Sequence, residues 1–232
     1  MQLLIFFGLV VILAYAAHRW WTSEGEVTKR MLRGAAPVAI GEYPDGGCRR
    51  VDGELEILER ELQAPLSGRR CAAYEIIIEE STDKDWRQVA RDVKVVPFVL
   101  RDGSGRAIIK PESASLSIVA DVHTCSGTFQ DPGPRELALL DRLGLSARGL
   151  LFNRSLRYRE GVLEPGERVA ALGYGAVSAD EEAGGAHHDG GYRQPGGRTK
   201  VTISGAVYLS DDPSVLSPGA HLPPPADLRG RS

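Results

Sequence analysis

Three stretches of this 232-residue sequence bring together side chains that could do chemistry. In 64-APLSGRRCAAYEIIIEE-80, Cys71 follows Arg69 and Arg70, and two guanidiniums beside a thiol would lower its pKa if all three faced one pocket. The same residues also read as a Pro65-Leu66-Ser67-Gly68 turn feeding a strand. Adjacent strand side chains point to opposite faces, so Arg70 and Cys71 diverge and the thiol is expected to pack in the core. His123-Thr124-Cys125 places two metal-ligand types on one side of an extended segment, and His187-His188-Asp189 adds a second cluster. Neither reaches four ligands locally, so no metal is assigned. Gly173-Tyr174-Gly175 followed by Ser178 is an incomplete dinucleotide loop with no βαβ unit around it and is read as a hairpin exit. Ser104, in Asp-Gly-Ser-Gly, lacks the spacing of a nucleophile elbow. These patterns assign no catalytic residue and no cofactor.

The elements that must position these residues are bounded by composition. A 42% hydrophobic content can fill a core, and 28 basic against 31 acidic residues leave a formal charge of −3, which gives no reason to expect nucleic acid. The three cysteines, Cys48, Cys71 and Cys125, form no C-x-x-C pair, which speaks against a disulfide framework or a zinc knuckle.

Residues 3 to 17, LLIFFGLVVILAYAA, are an unbroken apolar run. Extended to Trp20 and Trp21 it gives about 19 residues, or roughly 28 Å of helix, enough to span a bilayer. The membrane anchor predicted over 3–21 is carried by Leu3, Leu4, Ile5, Phe6, Phe7, Leu9, Val10, Val11, Ile12 and Leu13, with Trp20 and Trp21 at headgroup level. The bilayer is then the first expected partner. Arg19, Lys29, Arg30 and Arg33 follow the span, so the positive-inside rule places the rest of the chain in the cytoplasm of a single-pass protein. The alternative is a signal peptide cleaved near Ala16, since Ala14-Tyr15-Ala16 has the small-x-small form. Residues 22–36 read as a juxtamembrane linker, too interrupted for a long helix.

From residue 50 the pattern is mainly β. Short β-branched runs punctuated by Gly and Pro predict strands at 50–58, 74–78, 93–101 and 201–209. Two hairpins are predicted: one turning at Asp102 to Gly105, the other at Glu164-Pro165-Gly166-Glu167, where Pro and Gly suit the centre of a type II turn. Gly133 and Pro134 open a leucine-spaced helix over 134–144, residues 175–199 read as a mobile loop, and 217–232 as a Pro-rich disordered tail. The charged run 79-EESTDKDWRQVARD-92 holds a lone Trp86, either a cap on the core or an exposed interface residue.

The order of these signals resembles the GIDE-type membrane-anchored E3 ubiquitin ligases, in a prokaryotic-type form. The resemblance rests on PLSGRRCAAYE, a charged stretch with Trp86, VPFVLRDGSGRAIIKP, a leucine helix, YREGVLEPGERVAALGYG and VTISGAVYLSDDP, and it spans residues 37–216. It marks Pro65, Leu66, Ser67, Gly68, Cys71, Tyr74, Trp86, Pro97, Phe98, Leu100, Asp102, Gly105, Leu163, Pro165 and Gly166 as structural or interaction residues. It implies a barrel-like antiparallel β domain with one helical insertion. Eukaryotic members carry a carboxy-terminal RING that holds zinc and recruits a charged E2, but no cysteine follows Leu209 here.

Two functional classes follow. One is a membrane-tethered, non-catalytic β domain that binds a protein or peptide. The other is an enzyme, either a RING-type ubiquitin transferase relative or a hydrolase with dispersed catalytic residues. The missing local signatures favour the binding domain.

Overall fold

The computed structural model describes residues 23–82, 85–127, 131–146, 155–179 and 199–216. The predicted membrane segment, the histidine pair at 187–188 and the Pro-rich tail lie outside the described residues. Among those described, no helix is long and apolar enough to cross a membrane.

The described chain is mainly β with few helices. In order, it runs through helix α1 (Glu24–Gly34), a 3-10 turn (Ile40–Glu42), β1 (Gly47–Ile57), β2 (Leu62–Gln63), β3 (Arg70–Cys71), β4 (Ala73–Ser81), β5 (Trp86–Val95), β6 (Phe98–Arg101) and β7 (Gly105–Ser117). It continues with β8 (Val122–Ser126), α2 (Pro134–Arg142), β9 (Leu156–Leu163), β10 (Arg168–Ala179), β11 (Thr199–Ser210) and α3 (Pro213–Leu216).

Five strands close into a barrel in the order β1-β10-β11-β7-β6. Alternate residues point inward, and Val51, Leu55, Phe98, Leu100, Ile109, Val169, Val201 and Ile203 fill the interior. The 3-10 turn plugs one end with Ile40 and Tyr43. The Tyr43 hydroxyl donates to the Gly173 carbonyl at 2.8 Å, and a Cβ on Gly175 would sit 2.5 Å from the Tyr43 ring. Gly173 and Gly175 are therefore mid-strand positions kept small for close packing, not a hairpin exit.

A second, antiparallel sheet runs β5-β4-β9-β8. One face presents Tyr74, Ile76, Ile78, Tyr158 and Val162 to Leu139 and Leu140 of α2. The other carries Glu75, Ile77 and Glu79 with Arg91, Arg157 and Arg159. Glu75 pairs with Arg91 at 2.7 Å, and Glu79 pairs with Arg157 and Arg159 at 2.7 and 3.1 Å.

Several expectations are corrected. The sheets are not wholly antiparallel: β7 and β11 pair in parallel from Gly105↔Thr199 to Ser117↔Ser210. The chain makes β8, α2, β9 and β10 between them, so no tight turn dictates the antiparallel sense. The Glu164–Glu167 turn exists, with Glu167 N–H donating to the Glu164 carbonyl and Gly166 at φ 88°, but it does not make a hairpin. β9 belongs to the four-stranded sheet and β10 to the barrel, so the turn carries the chain from one to the other. The single strand expected at 93–101 is two, parted at Val96-Pro97 because Pro97 offers no N–H to a ladder. The charged run 79–92 is largely strand, since β5 begins at Trp86 and pairs along β4. The expected loop at 175–199 starts later, because β10 continues to Ala179.

The expected linker at 22–36 is also corrected: it holds α1, an 11-residue helix. Thr28 and Leu32 are its buried face, and Leu32 packs with Ala170, Leu172 and Val215. Arg50, buried and paired with Asp52 at 2.6 Å, donates to the carbonyls of Leu32 and Val215 at 3.0 and 2.8 Å. One guanidinium thus satisfies carbonyls from α1 and α3 together.

Candidate functional site

The joint between barrel and sheet is built from two turns far apart in sequence. In the Pro65–Gly68 turn, Gly68 N–H donates to the Ala64 carbonyl at 2.8 Å and Ala64 N–H to the Arg69 carbonyl at 2.9 Å. Gly68 takes φ 75°, and a Cβ there would approach the Arg135 guanidinium to 2.9 Å, so conformation and space both call for glycine. The turn's other amides find a carboxylate. Leu66 and Ser67 N–H groups donate to the two oxygens of Glu160 at 2.7 and 2.8 Å, and Arg135, in the first turn of α2, donates to the Leu66 carbonyl at 2.6 Å.

Glu160 is fully buried, on the same face of β9 as Tyr158 and Val162. A carboxylate there is tolerable because both oxygens accept N–H groups. It fixes the turn against the sheet.

The second turn is tied to the first by charge. Arg69 makes a two-pronged contact with Glu164 and also reaches Asp121 at 3.1 Å. Hydrogen bonding to Glu164, helped by the charges of Glu164, Asp121 and Glu167, outweighs burial and raises the Arg69 pKa. Burial pushes the Glu167 carboxyl up, partly opposed by the Glu164 N–H, which donates to it at 2.8 Å. The turn also pairs with the barrel: Leu55 N–H donates to the Glu167 carbonyl and Gly166 N–H to the Leu55 carbonyl, both at 2.8 Å.

Beside this joint lies an open groove of about 730 Å³, lined by Glu54–Ile57 of β1, Arg69, Arg70 and Glu164–Gly166. β10 accompanies β1 only as far as Glu54↔Arg168, the turn takes both backbone groups of Leu55, and β6 flanks the other side through Ile57↔Phe98. Past Leu55, the groove side of β1 therefore has no strand beside it among the described residues, and Ile57 is the edge position. Arg70, paired with Glu61 at 2.5 Å, stands exposed on the groove's rim.

The remaining marked residues divide between core and turn. Cys71 is fully buried on β3; burial, together with the Glu160 and Glu164 charges and against Arg69, pushes its thiol up to about 12. Cys71 is a packing residue, not a nucleophile. Tyr74 lies in the sheet core, and Phe98, Leu100 and Leu163 lie in the barrel core. Burial alone would push Asp102 up. The N–H groups of Ile40, Ser104 and Gly105 and the Ser104 hydroxyl outweigh it and hold the carboxyl below its usual range. Asp102 stitches the β6–β7 hairpin to the 3-10 turn, with Ile40 N–H at 2.7 Å. Trp86 is half-buried, with the Arg157 guanidinium 4.6 Å above its ring, so it is neither a core cap nor a bare hot spot. His123 and Cys125 share the exposed side of β8, and no group of three or more metal-ligand side chains occurs among the described residues.

The structure thus brings Pro65–Gly68 together with Leu163, Pro165 and Gly166, and leaves Trp86, Asp102 and Gly105 elsewhere. Sequence reasoning missed Glu160, Glu164, Arg135 and the overhang of β1. Glu160 left one signal: it shares strand parity with Tyr158 and Val162, an acid where an apolar residue belongs.

No curated protein and no solved structure matches the chain. One family model does, over a span narrower than the resemblance seen in the sequence, running from Tyr74 in β4 to just past β10 and leaving out the Pro65–Gly68 turn, β1 and β11. Residues 74–183 are similar to the GIDE family, described as E3 ubiquitin ligase.

Proposed function

We propose that this protein is a membrane-tethered, non-catalytic binding domain of GIDE type, which takes an extended peptide segment of a protein partner along the groove beside β1. The observation that carries this reading is the edge of β1 at Ile57, unpaired among the described residues, at the mouth of a groove with charged walls. An extended segment can add main-chain hydrogen bonds to such an edge, and Glu54, Glu56, Arg69 and Arg70 would select its side chains. The hydrophobic stretch 3–17 and the basic residues after it support a single-pass anchor in a prokaryotic inner membrane with the domain on the cytoplasmic side.

The test is amide exchange of the full chain in detergent micelles, titrated with a panel of extended peptides. Slowed exchange at Ile57 and Arg70, lost in Arg70→Glu, is the expected result. Peptide binding that leaves both amides unchanged would refute the groove.

A second reading, ubiquitin transfer by this chain, is favoured by the family description. Against it stand the three cysteines of the sequence, at 48, 71 and 125, too few and too far apart for a cross-braced zinc module. A reconstituted discharge assay should show no stimulation over an E2-only control, and stimulation would establish this second reading.

A further inference from the structure

A second pocket, of about 270 Å³, lies on the outer face of the four-stranded sheet, between the sheet, α1 and the Ile118–Ala120 connector that joins β7 to β8. It shares no residue with the β1 groove. Ile77 of β4 and Arg159 of β9, directly opposite each other in the ladder, both line it. The connector forms a wall because Gly161 has no side chain: a Cβ there would lie 2.7 Å from the Val119 carbonyl oxygen. Val119 N–H, donating to Asp211 at 2.9 Å, fixes the same connector. On the α1 side, Lys29 pairs with Asp212 at 2.8 Å, and both belong to the lining.

Two charged groups of this lining each keep one polar atom without a partner. Arg159 gives a terminal nitrogen to Glu79 at 3.1 Å, while its Nε–H is buried with no acceptor among the described residues. Glu75 accepts Arg91 Nε–H on Oε1 at 2.7 Å, and among the described residues no hydrogen bond reaches its Oε2. Burial raises the Glu75 pKa although the charge and hydrogen bond of Arg91 oppose it, so this carboxylate is short of positive partners. An unmet guanidinium N–H beside a cavity calls for an acceptor inside that cavity, and an unmet carboxylate oxygen calls for a donor.

We infer that this pocket binds a small zwitterion of the α-amino-acid class, its carboxylate on Arg159 Nε–H and its ammonium on Glu75 Oε2. A lone anion would meet Glu75 and Asp212, and a lone cation would meet Lys29 and Arg159. A zwitterion adds no net charge to a lining whose charges already balance. Water could satisfy the two polar atoms but would leave Ile77 and Ile118 wet, and a short aliphatic side chain covers them. The volume suits a compact ligand.

The test is calorimetric titration of the full chain in detergent micelles with glycine, L-alanine and L-valine. Isobutylamine and isovalerate, which keep the aliphatic group of valine and carry only one of its charges, serve as half-ligands. Saturable binding of at least one amino acid at millimolar concentration, with both half-ligands weaker than L-valine by about tenfold or more, is the expected result. Glu75→Gln, which removes the carboxylate, and Ile77→Phe, which narrows the pocket and keeps both charges, should each weaken binding by a similar factor while still unfolding cooperatively. No saturable binding of any of the three amino acids, a half-ligand that binds as well as L-valine, or parent-like binding by either folded variant would overturn the inference. The half-ligand comparison needs no substitution, so it decides the matter even where a variant does not fold.

Discussion

In the barrel, the strands satisfy one another around a closed ring, and the interior is a continuous apolar core from Val51 to Leu209. The four-stranded sheet has an apolar cover on one face, and its other face meets the barrel core only at one end, through Val93 and Val95. α2 covers Tyr74, Ile76 and Ile78, while the other face carries ion pairs, and among the described residues no strand pairs beyond β5 or β8. Closure leaves the barrel, among the described residues, with an unpaired edge at the end of β1 past Leu55, whereas an open sheet keeps unpaired outer strands. The features that could meet a partner accordingly sit on the sheet and at its joint with the barrel.

The largest expected effect breaks the barrel side of this contrast. Phe98→Ala empties a fully buried site in a closed core and should destabilise by about 3–5 kcal/mol, measured by denaturant unfolding. Leu139→Ala, under the open sheet, should cost about 2–3 kcal/mol, since α2 can settle toward the gap. Equal losses would mean that both cores are equally rigid.

The joint comes next. Glu160→Gln keeps the shape but leaves one of the Leu66 and Ser67 amides facing an NH₂ group, at a cost of about 2–3 kcal/mol by the same measurement. It should also speed labelling of Cys71, the thiol beneath that turn, relative to the exposed Cys125. A Glu160→Gln protein as stable as the parent would show that the two amides do not depend on this carboxylate.

A pH effect of similar or smaller size sharpens the comparison at the barrel rim. Burial pushes Asp211 up to about 7; the Val119 N–H, at 2.9 Å, opposes this, while Glu167 and Asp121 add to it. The folded state therefore holds a proton that the unfolded chain releases near pH 4, and stability should fall as pH rises from about 4 to 7. Asp211→Asn should remove that slope and stabilise by on the order of 1–3 kcal/mol at pH 8, with little change at pH 4. Parallel stability–pH curves for parent and variant would assign the slope to other groups.

The smallest effect is on the surface. Glu56→Gln loses an ion pair with Arg101 in which both side chains are over 40% exposed, and should change stability by about 0.5 kcal/mol or less. A larger loss would mean that the groove wall contributes to folding, which would weaken its reading as a binding surface.

What the sequence by itself determined was local. β-Branched runs marked the strands, Gly133-Pro134 opened α2, and Pro165-Gly166 and Asp102–Gly105 marked two turns, because propensity and turn chemistry act over a few residues. Strand parity also placed Cys71 in the core. The tertiary structure decided which strands met: that the Glu164–Glu167 turn crosses between sheets, that β7 meets β11 in parallel, that Glu160 receives a turn 93 residues away, and that residues 24–34 dock as a helix. Those outcomes depend on long-range partners. A buried carboxylate is stable only where two amides await it, and a polar amphipathic helix holds only where a groove accepts Leu32, and neither partner is written beside the residue that needs it.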